Sequence, residues 1–148
     1  MSPVISFFVL INPLSLGIKG GLLFEKEGFF RPSFFIEERR IFTDNFISPL
    51  IINYDSVSLF TKSNSLGLSL RFFLKNIIFS LEPSYINIFQ VYDVYRNYEF
   101  MKLSRVYEGW DFAFSIGKIL SHNYLMIGIE FNSIFEDMNL KFEIGRVL

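Results

Sequence analysis

Cysteine is absent from this 148-residue chain, and histidine and alanine each occur once. Without cysteine the chain can form neither a disulfide framework nor a thiolate metal site. With one histidine, His122, no convincing zinc site can be assembled. The scarcity of alanine removes the best helix former, whereas 18 isoleucines and 20 phenylalanines favour the pleated surface of a β-sheet.

Charged residues are also few, at 20% of the chain, and their net charge is −1. Acidic and basic residues are interspersed without a basic run, so nucleic acid is not an expected partner. Neither a phosphate-binding glycine motif nor an aspartate-rich calcium loop is present. The sequence therefore predicts no cofactor and no metal, and its length suits one domain.

The first seventeen residues carry no charged side chain at all. A short apolar stretch from Val4 to Ile11 is followed by small residues at Ser15 and Gly17, where a signal peptidase requires them. This segment resembles a secretory signal peptide cleaved after Gly17, although it lacks the usual basic residue at its start. We therefore predict a signal peptide over residues 1–17 and a single β-barrel domain over residues 18–148. The alternatives are a first strand or a loose apolar tail.

After Gly17 the sequence alternates between apolar and small or polar residues. A period of two is the signature of a β-strand whose two faces meet different environments. Lys75-Asn76 separates two such runs by the spacing of a tight hairpin. With residues 18–24 and the less regular stretches 45–61 and 86–108, about eight strands result. The prediction is an all-β, closed antiparallel up-and-down barrel; the six clearest runs are residues 30–36, 66–72, 77–85, 110–117, 125–131 and 140–145.

The polar face of these strands consists mostly of glycine and serine, with one or two charges per strand. A face in contact with water would be denser in charge, so this face is predicted to fill the interior of a narrow barrel. Because buried charges must be paired, a nearly balanced set is expected there. The predicted interior charges are Arg31, Glu37, Arg39, Arg71, Glu82, Asp111, Glu130, Lys141 and Glu143.

The opposite face is large and apolar, as expected of a transmembrane barrel in contact with lipid. The predicted lipid-facing residues are Phe30, Phe34, Leu68, Leu70, Phe72, Phe79, Leu81, Phe112, Phe114, Ile127, Ile129, Leu140, Phe142 and Ile144. Aromatic residues near the predicted strand ends could form the interfacial girdle of such a barrel. These residues are Tyr54, Tyr85, Tyr107, Trp110 and Tyr124.

At the level of pattern, residues 18–148 resemble the small bacterial outer-membrane β-barrel proteins. The last segment, residues 139–148, alternates to an apolar end at Leu148, similar to the final strand that the assembly machinery of these proteins recognises. The resemblance implies an outer-membrane location, membrane lipid as a partner, and a non-enzymatic structural or surface-interaction role or a very narrow channel. The longest predicted loops, residues 37–45 and 96–108, would contact an extracellular partner.

Three other interpretations remain open at this stage. A soluble periplasmic barrel similar to lipocalins would bind an apolar ligand inside, and a fragment of a larger outer-membrane barrel would show the same alternation. A lipid A deacylase would need a serine two residues after its histidine, but Tyr124 occupies that position after His122. Ser121 would face the other side of the strand, although Glu136 could serve as the acid. Enzymatic activity is therefore not predicted.

Overall fold

The structure is a computed structural model that describes residues 1–11, 14–24, 28–42, 56–134 and 136–148. These residues form eight β-strands, and no helix among them is long and apolar enough to cross a membrane. The strands are β1 (Ser2–Ile11), β2 (Leu14–Leu23), β3 (Phe30–Phe42), β4 (Ser56–Leu74), β5 (Ile77–Arg96), β6 (Glu99–Leu120), β7 (Asn123–Asn132) and β8 (Asp137–Val147).

Each strand pairs antiparallel with the next, and β1 also pairs with β8, so the sheet closes into an up-and-down barrel. This confirms the predicted fold class. Both described chain ends lie at one end of the barrel, where β2, β4 and β6 also end, and we call it the terminal end. β1, β3, β5 and β7 end at the opposite end, which we call the distal end. A closed ring differs from a fragment of a larger barrel, which would have two open strand edges.

Within the closed part of the barrel, side chains alternate between the interior and the outer surface. In β8, Lys141 and Glu143 are buried, whereas Leu140, Phe142 and Ile144 are exposed. The same alternation recurs in the other strands, with phenylalanine, leucine and isoleucine outside and mostly serine and charged residues inside, although some apolar residues such as Phe8 and Ile78 are also buried there. This sidedness is the reverse of a soluble barrel with an apolar interior, so the lipocalin-like alternative is wrong.

Residues 1–11 and 14–17 lie in strands of the barrel in this structure, where the sequence predicts a signal peptide and a domain boundary at residue 18. β1 is paired with β2 along its length and with β8 from Val4 to Leu10. Gly17 lies within β2 and faces Phe8 across the strand pair. The segment resembled a signal peptide because β1 is apolar on both faces: Val4, Phe8 and Leu10 are buried inside, while Ile5 and Phe7 are exposed outside.

Three consecutive strands, β4, β5 and β6, are 19 to 22 residues long, whereas the other strands have 10 to 13. The predicted loop 96–108 is in fact the distal part of the β5–β6 hairpin, with a two-residue turn at Asn97-Tyr98. The predicted loop 37–45 is strand β3 up to Phe42, and its last three residues lie outside the described ranges. We call residues 86–109 the distal hairpin.

Candidate functional sites

The barrel interior holds a network of buried charged side chains. Eight of the nine predicted interior charges are among them, at most 4% exposed, but Arg31 lies half-buried at the terminal end. A further buried cation, Lys19, was not predicted because the strand containing it was divided by the assumed cleavage after Gly17. Within the described residues the buried charges are Lys19, Glu37, Arg39, Arg71, Glu82, Asp111, Glu130, Lys141 and Glu143.

One half of this network is centred on Glu82. Lys19 Nζ lies 2.8 Å from Glu82 Oε2 and 2.6 Å from Glu143 Oε2, so it joins strands β2, β5 and β8. Lys141 Nζ lies 3.2 Å from Glu82 Oε2. The other carboxylate oxygen of Glu82 accepts hydrogen bonds from Ser69 at 2.9 Å and Ser80 at 3.0 Å. Glu82 is therefore neutralised and fully hydrogen-bonded, as a buried carboxylate must be.

The other half is centred on Arg39, whose guanidinium contacts Glu37, Asp111 and Glu130. Its Nη2 lies 2.9 Å from Asp111 Oδ2. Lys141 connects the two halves because its Nζ is also 3.5 Å from Glu130 Oε2. The paired side chains thus fill the cross-section of the barrel, as expected for eight strands, and leave no room for a wide pore.

Two interior aromatic rings lie directly across glycines of a neighbouring strand. A Cβ atom added to Gly17 would come within 2.1 Å of Phe8 Cζ, and one added to Gly145 within 2.2 Å of Tyr124 Cζ. The Phe8 ring also lies 5.5 Å from the Arg39 guanidinium and 5.0 Å from Lys141 Nζ. Gly17 therefore makes space for a ring on which two cations of the network rest.

Replacing Gly17 with valine is expected to lower the free energy of unfolding by about 1–3 kcal/mol, because the new side chain must displace the Phe8 ring. Gly20→Val on the same strand is the control, since an added Cβ there meets nothing within 4 Å. Urea unfolding followed by fluorescence of Trp110 would measure both. Equal stability of the two variants would contradict this account of Gly17.

The outward face agrees with the alternation, but the aromatic girdle only partly matches its prediction. All fourteen predicted lipid-facing residues lie on the outer surface. Tyr85 and Trp110 lie there too, as a T-shaped pair 5.4 Å apart. Tyr124 is wrongly assigned, because it is 2% exposed inside the barrel and donates a hydrogen bond to Glu143. Tyr107 packs against the buried Ile41, Ile86 and Ile88, and Tyr54 lies outside the described residues.

The position of Tyr124 was available from the alternation itself. Leu125, Ile127 and Ile129 face outward, so a residue one position before Leu125 must face inward. The sequence prediction instead placed Tyr124 in the outward girdle because it lies near a strand end. In the same way, Tyr107 has the opposite parity to Trp110 and Phe112.

Between Glu99 and Gly109, one edge of strand β6 has no partner strand among the described residues; we call it the free edge. The Trp110 N–H donates to Ser133 Oγ at 2.7 Å, and the Trp110 carbonyl accepts from the Ser133 N–H at 2.9 Å, so both point away from β5. Backbone direction repeats every second residue along a strand. The N–H and C=O groups of Phe100, Lys102, Ser104 and Val106 therefore point to the same side. Among the described residues, β6 pairs with β7 only from Asp111 onward, so these N–H and C=O groups have no partner in β7.

The distal hairpin is rich in exposed apolar side chains. Its charges are balanced, with Arg96, Lys102 and Arg105 against Asp93, Glu99 and Glu108. At least 38% of each of the following large side chains is exposed: Tyr95, Tyr98, Phe100, Met101, Leu103 and Val106. Such a concentration of apolar surface outside a core is typical of an interaction site.

On the buried face of the hairpin, the Tyr92 hydroxyl donates a hydrogen bond to Gln90 Oε1 at 2.6 Å. Burial, together with the neighbouring Tyr107, raises the pKa of Tyr92 above its ordinary value. The phenol therefore remains protonated at neutral pH and keeps this hydrogen bond.

The remaining candidate for chemistry is His122, which is exposed in the β6–β7 turn. Tyr124, at the position of the serine in the deacylase pattern, is buried against Arg71 and Glu143. No cluster of three or more histidine, aspartate or glutamate side chains suited to a metal ion occurs in the part of the chain that the structure describes. The geometry thus assembles no nucleophile with a base around His122.

A closed ring of eight antiparallel strands with an apolar outside and an ion-paired inside is the fold of small bacterial outer-membrane barrels. The chain is similar in structure to the attachment invasion locus protein Ail of Yersinia pestis, with a TM-score of 0.63, 9% identity, and coverage of 99% of this chain and 95% of Ail. Neisserial surface protein A gives a TM-score of 0.62, 12% identity and coverage of 99% and 94%.

The N-terminal β-barrel domain of Pseudomonas aeruginosa OprF gives a TM-score of 0.61, 7% identity, and coverage of 99% of this chain and 97% of that domain. At these identities the similarity concerns the fold. No protein-family model and no curated protein matches the sequence.

Proposed function

We propose that this chain is a non-enzymatic outer-membrane barrel that acts as a surface-interaction protein through its distal hairpin. The observation that carries the proposal is an apolar edge of β6 that has no partner strand among the described residues. It lies beyond Asp111, the last residue on this side that pairs with β7. β3 reaches the level of Gln90, and Val91 to Arg96 on β5 continue six residues further, or about 20 Å at the rise of a β-strand. An anchor alone would not need this length.

The outward apolar face supports a membrane location, and the outward Tyr85–Trp110 pair supports a distal limit of the spanning segment at these two residues. Ile77 to Tyr85 on β5 and Trp110 to Lys118 on β6 are each nine residues long, and a spanning strand needs about nine to eleven tilted residues. Bacterial outer-membrane barrels have short periplasmic turns. The terminal end, with two-residue turns at 75–76 and 121–122, would therefore face the periplasm and the distal hairpin the exterior.

Strand addition is the mode of binding that the free edge favours. An extended partner segment would pair with the outward N–H and C=O groups of residues 100–106 and cover the apolar side chains beside them. Ail has also been solved in complex with the heparin analogue sucrose octasulfate. Here the balanced charges of the distal hairpin favour a protein strand over a polyanion.

A narrow channel is the second function that the fold permits, but the interior argues against it. Lys141 and Arg39 each contact several carboxylates across the barrel. An ion moving along the axis would have to break these buried pairs, which is costly. Absence of stepwise conductance in planar bilayers is therefore the expected result.

Ser104→Pro is expected to reduce attachment at least about tenfold, because proline removes one outward N–H and places its ring on the free edge. The assay uses Escherichia coli displaying the full chain, binding to surfaces coated with reduced and alkylated albumin as an extended protein chain or with heparin. Ser104→Thr is the matched control, since it keeps the N–H. Both variants should still show heat-modifiable migration and fractionate with the outer membrane.

Three results would contradict the proposal. Recovery of the chain as a soluble monomer without detergent would remove the membrane location. Equal attachment of cells with and without the chain on both coatings would remove the surface interaction. Attachment to heparin alone, unaffected by Ser104→Pro, would replace strand addition with recognition of a polyanion.

A further inference from the structure

At the terminal end the barrel interior opens into a cavity of about 240 Å³. This is far above the roughly 10–15 Å³ needed for a single water. Its polar lining includes Arg31, Arg71, His122, Asn123 and Tyr124, and Phe73 and Ile78 contribute apolar walls. The cavity lies at the opposite end of the molecule from the distal hairpin, so its role is independent of the proposed surface interaction.

The two arginines of this cavity are direct cross-strand partners. Arg31 on β3 faces Arg71 on β4, and both belong to the inward-facing residues of their strands. Side chains in such a position have Cβ atoms only about 4.5–5.5 Å apart, and like charges placed there repel. A pair of this kind needs negative charge between or beside the two guanidinium groups.

Among the residues that the structure describes, carboxylates supply that charge to Arg71 but not to Arg31. Arg71 Nη2 lies 3.5 Å from Glu143 Oε1 and 3.8 Å from Glu82 Oε1, and its Nε donates to Ser69. Arg31 instead stacks on the Phe73 ring at 4.0 Å and donates its Nε–H to the Gly28 carbonyl at 3.1 Å. No carboxylate of the described residues lies within ion-pair distance of Arg31.

We propose that this cavity binds a phosphate-bearing anion. Arginine forks match the oxygens of phosphate, and Arg31 is held by Phe73 and Gly28 so that its terminal nitrogens remain for a ligand. His122 and Asn123 add donors at the mouth. The apolar walls would favour a phosphodiester with a hydrocarbon chain, such as a phospholipid headgroup, over free phosphate.

The test uses the full chain refolded in a maltoside detergent and labelled to show its arginine Nε–H resonances by NMR. Inorganic phosphate and dihexanoyl phosphatidylglycerol are titrated separately, at constant ionic strength set with sodium chloride. We expect the Arg31 and Arg71 signals to shift with both probes, at lower concentration with the lipid. If inorganic phosphate binds more tightly than dihexanoyl phosphatidylglycerol, the cavity is still an anion site, and its ligand is free phosphate.

Arg31→Gln is expected to weaken binding about tenfold or more, since it removes charge-assisted hydrogen bonds. Arg146→Gln is the matched control, because Arg146 is exposed on the outer surface near the same end. Arg31→Gln also loses the stacking on Phe73 and the hydrogen bond to Gly28, so its urea unfolding without anion serves only to show that the variant is folded. No shift with either probe, or equal binding by the natural chain and folded Arg31→Gln, would overturn the proposal.

Discussion

A chain that lacks residues 1–17 is expected to form no closed barrel. The deletion removes β1 and the first four residues of β2. β8 therefore loses the seven residues of β1 with which it pairs, and the rest of β2 loses every pairing partner in β1. Each backbone polar group left unpaired inside a bilayer costs several kcal/mol. The loss therefore exceeds the 5–15 kcal/mol by which typical proteins are stable. Heat-modifiable migration after refolding into phosphatidylcholine vesicles is the measurement, and we expect it to disappear.

A deletion of similar length in the distal hairpin is the matched control. Removing Val91 to Ser104 and joining Gln90 to Arg105 through an Asn-Gly turn connects two residues that already face each other. This chain should fold and migrate like the natural one, while losing attachment. Normal folding of residues 18–148 would contradict β1 as a barrel strand and restore the signal-peptide prediction.

The alternation of side chains predicted most of the barrel because a bilayer and a narrow interior impose opposite demands on the two faces of every strand. Leu66 to Phe72 shows this well, since each residue lies on the face that its parity predicts. The same parity placed Arg39, Glu82 and Lys141 inside without any knowledge of their partners. The strand count followed from the turns between such runs.

The alternation failed where one of these demands is absent. In β1 the inward-facing Val4, Phe8 and Leu10 make much of the inner face apolar as well, so the strand looks like the core of a signal peptide. In the distal hairpin, residues 99–106 are exposed on both faces, so the sequence does not alternate there and residues 96–108 looked like a loop. In both cases a strand was missed because its faces meet a different environment from those of the other strands, and not because its residues disfavour a β-strand.

The pairing of interior charges lies beyond what a pattern can provide. Lys19 and Glu143 are 124 positions apart in sequence, yet their charged atoms are 2.6 Å apart. Such a contact depends on the closure of β8 onto β1 and on the register of each strand pair. Near-balance of charge was predictable, because unpaired buried charges are not tolerated, but the identity of each pair was not.

Arg39→Gln is expected to destabilise the barrel by about 3–5 kcal/mol, which is the usual cost of removing one partner from a buried ion pair. Arg39 contacts three carboxylates, on β3, β6 and β7. After the substitution, Glu37, Asp111 and Glu130 would share a dry interior with Lys141 as their nearest cation. Urea unfolding in vesicles, followed by Trp110 fluorescence, gives the free energy by linear extrapolation.

The neighbouring residue provides a matched control for this substitution. Arg40 is exposed on the outer face of the same strand, beside the Phe42 and Phe60 rings. Arg40→Gln makes the same change of charge without leaving buried carboxylates unpaired, so its effect should be much smaller. Arg39→Lys should fall between the two, because it keeps the charge but loses the fork that reaches several carboxylates. Equal effects of Arg39→Gln and Arg40→Gln would show that the interior ion pairs contribute little to holding the eight strands together.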